Sequence, residues 1–212
     1  MSVLDHTERT RIRYDRLARF YDLFEAPMER GRFSVWRRRL LERIKGPLTL
    51  EVGIGTGKNM PFYPPGVKVT GIDLSPQMIE RAKRRRSSLG LHMDLRIMDA
   101  QKLDFPDNHF DTVFATFVFC SVPDPVSGLI EMRRVCKPSG RLLLLEHMQS
   151  RHRVLAWLLE MLNPLIVRFM GANINRETME NIRKAGWEVD LEQCLWLDVV
   201  RWVEGHSLAL LT

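Results

Sequence analysis

Apolar and polar positions alternate along most of this chain in two rhythms, short β-rich runs and longer helical stretches, as expected when strands of a parallel sheet are joined by crossover helices. The alternation starts near residue 48. Runs at 48–52, 67–72, 91–98, 111–119 and 141–146 read as five strands. The last contains Leu142 to Leu145 unbroken, as a strand covered on both faces should. Ser75-Pro76 supplies an N-cap and a first-turn proline for a helix over Met78 to Leu89, closed by Gly90. Asp124-Pro125 repeats the device before Val126 to Cys136, and Asn175 is placed to cap a third helix through Ala185, stopped by Gly186. Residues 187–196 and 199–203 read as two further strands, an antiparallel pair at one sheet edge.

The expected architecture is therefore one α/β domain over 1–212, a mostly parallel seven-stranded sheet with an antiparallel edge. Four parts are distinguished: a helical N-terminal arm at 6–45, a core at 48–148, an insertion at 150–174, and a terminal helix with edge strands at 175–212. Ligands of open α/β sheets sit beyond the carboxyl ends of the strands, so the arm and the insertion are the natural lid and substrate wall.

Composition changes this picture little. The chain is 45% hydrophobic and 27% charged, ordinary for a globular protein. The most apolar stretch, 154–170, carries Glu160, Asn163, Pro164 and Arg168, so no bilayer span is expected. It reads either as a buried helix pair broken by Pro164 or as an apolar acceptor channel or interfacial surface. The N-terminal residues lack the apolar centre of a signal peptide, and the widely spaced Cys120, Cys136 and Cys194 suggest neither disulfides nor a metal site; a cytoplasmic location is expected. The net charge of +6 is concentrated in part at Arg37, Arg38, Arg39 and Arg43, which share a segment with Phe33, Trp36, Leu40 and Leu41. That basic amphipathic pattern suggests peripheral contact with an anionic membrane. No appended module or basic stripe interleaved with aromatics points to nucleic acid.

The chemistry is concentrated after the first strand. Gly53, Gly55 and Gly57 in E-V-G-I-G-T-G let the backbone turn tightly and approach a ligand. Asp73 ends the second strand, where a carboxylate can accept hydrogen bonds from both hydroxyls of a ribose. Asp99 ends the third, before Ala100 and Gln101, where a carboxylate can take the exocyclic amine of an adenine. The loop is G-x-G-x-G, not the G-x-G-x-x-G that offers a helix N-terminus to a pyrophosphate, and Pro61 and Pro64-Pro65 cut the next helix short. A nicotinamide oxidoreductase is accordingly a minor alternative.

The order E-V-G-x-G-T-G, G-I-D-L-S-P-Q-M, M-D-A-Q-x-L-D-F-P-D-x-x-F-D-T-V and R-R-V-C-K-P-S-G-R-L-L-L-L-E-H, preceded by Y-D-R-L-A-R-F-Y-D from Tyr14, resembles the class I methyltransferases of the ubiquinone/menaquinone C-methyltransferase-like group. The resemblance implies a Rossmann-like fold and S-adenosylmethionine as cofactor, leaving S-adenosylhomocysteine. It implies that Glu51, Gly53, Gly55, Gly57, Asn59, Asp73, Leu74, Asp99 and Ala100 build the cofactor site, with Thr116 and Phe117 near the methionine portion. Tyr14 and Tyr21 resemble the arm residues that close over it, Tyr21 with a catalytic part. C-S-V at 120–122, L-E-H, and N-I-N-R-E-T at 173–178 are more similar to membrane-associated methyltransferases of alkyl thiols, and bacterial phospholipid amine methyltransferases share the layout.

The acceptor is thus expected to be a small molecule or lipid. A phospholipid amine or quinone-like compound leads, a small thiol is the alternative, and a regulatory module that binds the cofactor without turnover or an RNA methyltransferase stands behind them. A carbon or hydroxyl acceptor needs a base, and His147, at the carboxyl end of the fifth strand, is the candidate.

Overall fold

A computed structural model describes the backbone of residues 3–170 and 173–207, and the side chains of 6–19, 31–167 and 173–207. The arm is helical: α1 (Val3–Met28) and α2 (Ser34–Leu41) are separated by a break at Gly31. The core follows as β1 (Leu48–Val52), β2 (Lys68–Asp73), α3 (Pro76–Ser88), β3 (Asp94–Ile97), β4 (Phe110–Thr116), α4 (Pro125–Val135) and β5 (Cys136–His147). Then come α5 (Arg153–Met170), α6 (Thr178–Lys184), β6 (Trp187–Trp196) and β7 (Val200–Ser207). The seven strands form one sheet in the order β3-β2-β1-β4-β5-β7-β6, parallel except that β7 runs antiparallel to both β5 and β6.

Local chemistry explains most boundaries. Ser75 Oγ accepts from Met78 N, and Asp124 accepts from Val126 N and Ser127 N, so both expected caps satisfy orphan amides of α3 and α4. Gly186, at φ +79°, turns the chain out of α6. Several boundaries differ from expectation: β3 is shorter than 91–98, and β5 and β7 extend beyond 141–146 and 199–203. Asn175 does not cap α6, which starts at Thr178 after Glu177. The strand expected at 111–119 stops at Thr116, because Phe117 adopts a left-handed φ of +60° and ends the ladder. The segment around Pro164 is not a broken helix pair; α5 runs through the proline as one helix.

Two apolar layers sandwich the sheet. Leu50, Val52, Val113, Leu142 and Leu144 meet Leu129 and Met132 of α4 and Met179 and Ile182 of α6 on one side. On the other, Phe114, Leu143, Leu145 and Trp202 meet Trp36, Leu40 and Leu41 of α2. Strand order reverses between β1 and β4, whose register Val52↔Ala115 brings their carboxyl ends level. A crevice at that switch point is where an open α/β sheet binds ligand.

Candidate active site

β1 leads directly into the glycine loop, and the three glycines have separate jobs. All lie at positive φ: Gly53 at +68°, Gly55 at +56° and Gly57 at +81°. A Cβ on Gly53 would stand 2.4 Å from Val118 Cγ2, and one on Gly57 2.7 Å from Met60 Cε, so these two are fixed by packing. A Cβ on Gly55 would meet nothing within 4 Å; it would occupy the mouth of the cleft. The loop runs into a short 3-10 turn, Met60–Phe62, that holds Pro61, so no helix presents its N-terminus here.

Asp73 closes β2 with both carboxylate oxygens engaged. Gly55 N donates to Oδ2 at 2.8 Å and Ser75 N to Oδ1 at 2.9 Å. Withdrawal from water raises its pKa to about 6 against these two donors, and the nearby Asp15 adds to the rise. Asp99 follows β3, and its Oδ1 accepts from the backbone and side-chain nitrogens of Gln101 at 2.9 and 3.0 Å. Each carboxylate is therefore held in one orientation at the rim of a shared cleft.

That cleft encloses about 840 Å³, counting the part open to solvent. Gly53, Gly55, Asp73, Leu74, Asp99, Ala100, Thr116 and Phe117 line it, and Tyr14 and Thr10 of α1 form part of its wall. α1 is fastened at three points along its length. Gln101 Nε2 donates to Thr7 Oγ1 at 3.2 Å, the Tyr14 and Ser121 hydroxyls share a hydrogen bond, and Asp15 Oδ1 accepts from Ser75 Oγ at 2.5 Å and Gln77 N at 3.2 Å. Asp15 thus places negative charge at the N-terminus of α3, where the helix dipole favours it. The side chain of Tyr21 lies outside the described residues.

Beneath the cleft lies a buried polar network that the sequence pattern concealed. Arg37 of α2, expected on a solvent-facing basic surface, is 5% exposed and lines the cleft. Its Nη1 donates to Thr116 Oγ1 at 2.5 Å and Asn59 Oδ1 at 3.0 Å, and its guanidinium lies 5.2 Å from the centre of the Phe117 ring. Asn59 Nδ2 in turn donates to Glu51 at 2.6 Å and Thr116 Oγ1 at 2.9 Å, and the Tyr63 hydroxyl also donates to Glu51. Burial pushes the Glu51 carboxyl up to about 7, although Tyr63, Asn59 and Arg37 favour its charged form. Glu51, Gly57 and Asn59 are thus beside the cleft wall, not on it.

The side of the cleft at the end of β4 is aromatic. Phe117 stacks on Phe33 with ring centres 4.8 Å apart, and His147 packs against Phe117 at 4.7 Å without itself lining the cleft. Glu146, on the opposite face of β5, is fully buried; its Oε1 accepts from Val118 N at 2.8 Å and Phe119 N at 3.2 Å, while Oε2 has no hydrogen-bond partner among the described residues. Burial raises its pKa to about 8. These two bonds hold the turn that Phe117 begins. Neither Arg37 nor Glu146 carried a sequence signal of its role: one sits in a run of arginines, the other after four leucines.

The chain is similar to known methyltransferases. Residues 50–144 match the family model described as a methyltransferase domain. A phosphatidylethanolamine N-methyltransferase of Cereibacter sphaeroides is 44% identical over 115 residues, 52% of this chain and 57% of that protein. The human thiol S-methyltransferase TMT1B is 30% identical over 201 residues, covering 86% of this chain and 82% of the relative. The crystal structure of a SAM-dependent methyltransferase from Thermotoga maritima superposes with a TM-score of 0.66 at 22% identity, over 90% of this chain and 98% of that one. With the first of these relatives, then, the match spans little more than half its length.

Proposed function

Because the chain belongs to the class I S-adenosylmethionine-dependent methyltransferases, we propose that it transfers a methyl group from that cofactor to a lipophilic acceptor, a phospholipid amine or quinone-like compound, at a membrane surface. The observation that carries the reading is the convergence of the open Gly55 position, the two oriented carboxylates Asp73 and Asp99, and the buried Arg37 on one cleft.

The residues present fit the cofactor. Asp73 would accept from the ribose hydroxyls, Asp99 from the adenine amine, and Arg37 would face the methionine carboxylate. Gly55 leaves room for the ligand, since any side chain there would project into its space. Leu74, Met98 and Ala100 offer apolar cover, and Tyr14 covers from the arm. When bound, S-adenosylmethionine supplies a methyl group on a sulfonium centre, open to in-line displacement.

Phe117, stacked on Phe33, would present a flat apolar surface to the acceptor. A neutral amine or a thiolate brings its own lone pair, so for these acceptors the protein has mainly to hold the partners in line at close range. A carbon or hydroxyl acceptor must lose a proton, and His147, against Phe117, would be its base. A second reading, methyl transfer to a small thiol, is favoured by the relative matched over most of its length, a thiol S-methyltransferase.

The test is incorporation of labelled methyl from S-adenosylmethionine into phosphatidylethanolamine vesicles, demethylated quinones, small thiols and RNA, with S-adenosylhomocysteine measured in parallel. Label in the lipid or quinone fraction is expected. Label confined to thiols selects the second reading, and cofactor binding without product in any class refutes both in favour of a regulatory module.

A further inference from the structure

α5 has two apolar faces, and the protein covers only one. Leu155, Leu159 and Ile166 turn inward and are partly buried. Val154, Trp157, Leu158, Met161, Leu162 and Leu165, spaced as one helical stripe, are between 42% and 73% exposed. A stripe of this size on a folded surface marks an interaction site.

The tip of the β6–β7 hairpin continues it. Trp196 is 46% and Leu197 63% exposed. Asp198, next in the chain, accepts from Ser150 Oγ and Arg151 N, both at 2.6 Å, and so fastens the tip beside the start of α5. Leu197 and Asp198 are both in the left-handed region, at φ +46° and +54°, an arrangement unusual for a leucine. Of the chain's five tryptophans, Trp36, Trp187 and Trp202 are buried; the two exposed ones are Trp157 and Trp196. Tryptophan has an apolar body and a polar N–H, the combination that sits well at a membrane–water boundary.

Charge points the same way. Arg151, His152 and Arg153 are exposed in sequence at the entrance of α5. Arg151 already grips Glu192 through Nη2 at 2.6 and 2.7 Å. Arg153, however, occupies the first position of the helix, where the dipole disfavours a cation, so helix stability does not account for it. An anionic surface beside the stripe does. From Val154 to Leu165 the stripe is roughly 16 Å long, too short to cross a bilayer but suited to lying in its interface. No helix among the described residues is long and apolar enough to span a membrane.

The inner side of the same helix is linked through residues 173 and 174 to the turn beside the cleft. Ile174 N donates to Asn163 Oδ1 at 3.0 Å, and Asn173 N to Cys120 O at 2.8 Å, in the turn whose Val118 and Ser121 line the cleft. We infer that the exposed stripe of α5 and the Trp196–Leu197 tip together form an interfacial docking surface for bilayers rich in anionic phospholipid, which brings the acceptor side of the cleft to the membrane. The inference deepens the reading given above and rests on it for its purpose, though binding itself requires neither cofactor nor acceptor.

It is tested by sedimentation with vesicles of phosphatidylglycerol and phosphatidylcholine, and with phosphatidylcholine alone, without cofactor. The intact protein should partition onto the anionic vesicles, with a blue shift of tryptophan emission. Leu158→Gln/Leu162→Gln, at exposed positions, should weaken partitioning on the order of tenfold or more, while Lys83→Glu/Arg84→Glu on the exposed side of α3 should leave most of it. Calorimetry with S-adenosylmethionine and circular dichroism should not distinguish the α5 variant from wild type. Absence of vesicle binding by wild type, undiminished binding by the α5 variant, or a wild-type dimer dispersed by the α5 substitutions would each overturn the docking surface. Those results would leave methyl transfer to dispersed acceptor intact. Conversely, a failure of methyl transfer with α5-dependent vesicle binding preserved would refute the catalytic reading alone.

Discussion

The two flanks of β4 are built on opposite principles. On the β1–β3 flank, Asp73 and Asp99 stand at the ends of adjacent strands with their oxygens turned by backbone amides two residues on or across one loop. On the β5 flank, Phe117 alone of an aromatic cluster lines the cleft, backed by Phe33 and His147, supported by a buried carboxyl with one oxygen unpartnered among the described residues and bordered by a helix whose apolar face is exposed. A polar ligand fragment common to a whole family demands fixed donors and acceptors, which short local motifs can provide. The aromatic cluster depends on shape and dryness, which residues far apart in sequence supply together.

Arg37 sits where the flanks meet, and removing it should have the largest effect. Arg37→Ala leaves the buried Asn59 Oδ1 without this donor and Thr116 Oγ1 with one donor fewer, and should cost about 1–3 kcal/mol in urea unfolding. Arg37→Lys should recover only part of it, since an ammonium on a flexible stem lacks the planar guanidinium that lies against the Phe117 ring. A loss below about 0.5 kcal/mol for the alanine variant would show that the two flanks are not joined through this residue.

Glu146 distinguishes the acceptor flank by its pH dependence. Its folded pKa, about 8, lies above the ordinary 4.5, so the native state holds a proton that the unfolded chain has released between those values. Its contribution is complete below about pH 4.5 and is lost as pH rises through 8. Glu146→Gln should therefore match wild type in thermal scans at pH 5 and exceed it at pH 9 by a few kcal/mol, at about 1.4 kcal/mol per pKa unit. Glu51, raised to about 7, and Asp73, raised to about 6, impose a dependence of the same sign over narrower pH windows on both proteins. A wild-type advantage at pH 9 would mean that the ionised carboxylate is what the turn requires.

Gly55→Ala separates stability from binding on the cofactor flank. The positive φ should cost about 1–2 kcal/mol, since nothing within 4 Å obstructs the new methyl group. S-adenosylmethionine affinity measured by calorimetry should nevertheless fall, because the methyl group enters the ligand's space. Retained affinity would move the cofactor off this loop. The smallest effect is expected from Arg38→Glu/Arg39→Glu: both side chains are exposed on α2, and unfolding should change by no more than about 0.5 kcal/mol.

The sequence made the cofactor flank legible because its determinants are local. The glycine loop, the aspartates after consecutive strands and the Ser75-Pro76 and Asp124-Pro125 caps are all short-range patterns, and the antiparallel edge follows from the alternation they punctuate. Arg37 was not legible because a run of basic residues on an amphipathic helix does not say which one faces inward; here the Phe117 ring and Thr116, some eighty residues on, decide it. The orientation of α5 was equally hidden. With apolar residues around most of its circumference, sequence periodicity cannot choose which face the protein covers, and Asn163 and Asn173 settle that choice through hydrogen bonds to the 117–123 turn and to each other's segment. Asn175 was misread as a cap because its neighbours Asn173 and Arg176 are engaged with that turn instead of starting a helix.

The central claim is that this cleft holds S-adenosylmethionine through the carboxylate at the end of β2. Calorimetric titration of the cofactor into wild type and Asp73→Ala, each first shown by circular dichroism to be folded, tests it most directly. The account predicts a single site in wild type and an affinity lower by about two orders of magnitude in the variant, the worth of two hydrogen bonds to a charged group. Equal affinity in the two proteins would contradict it.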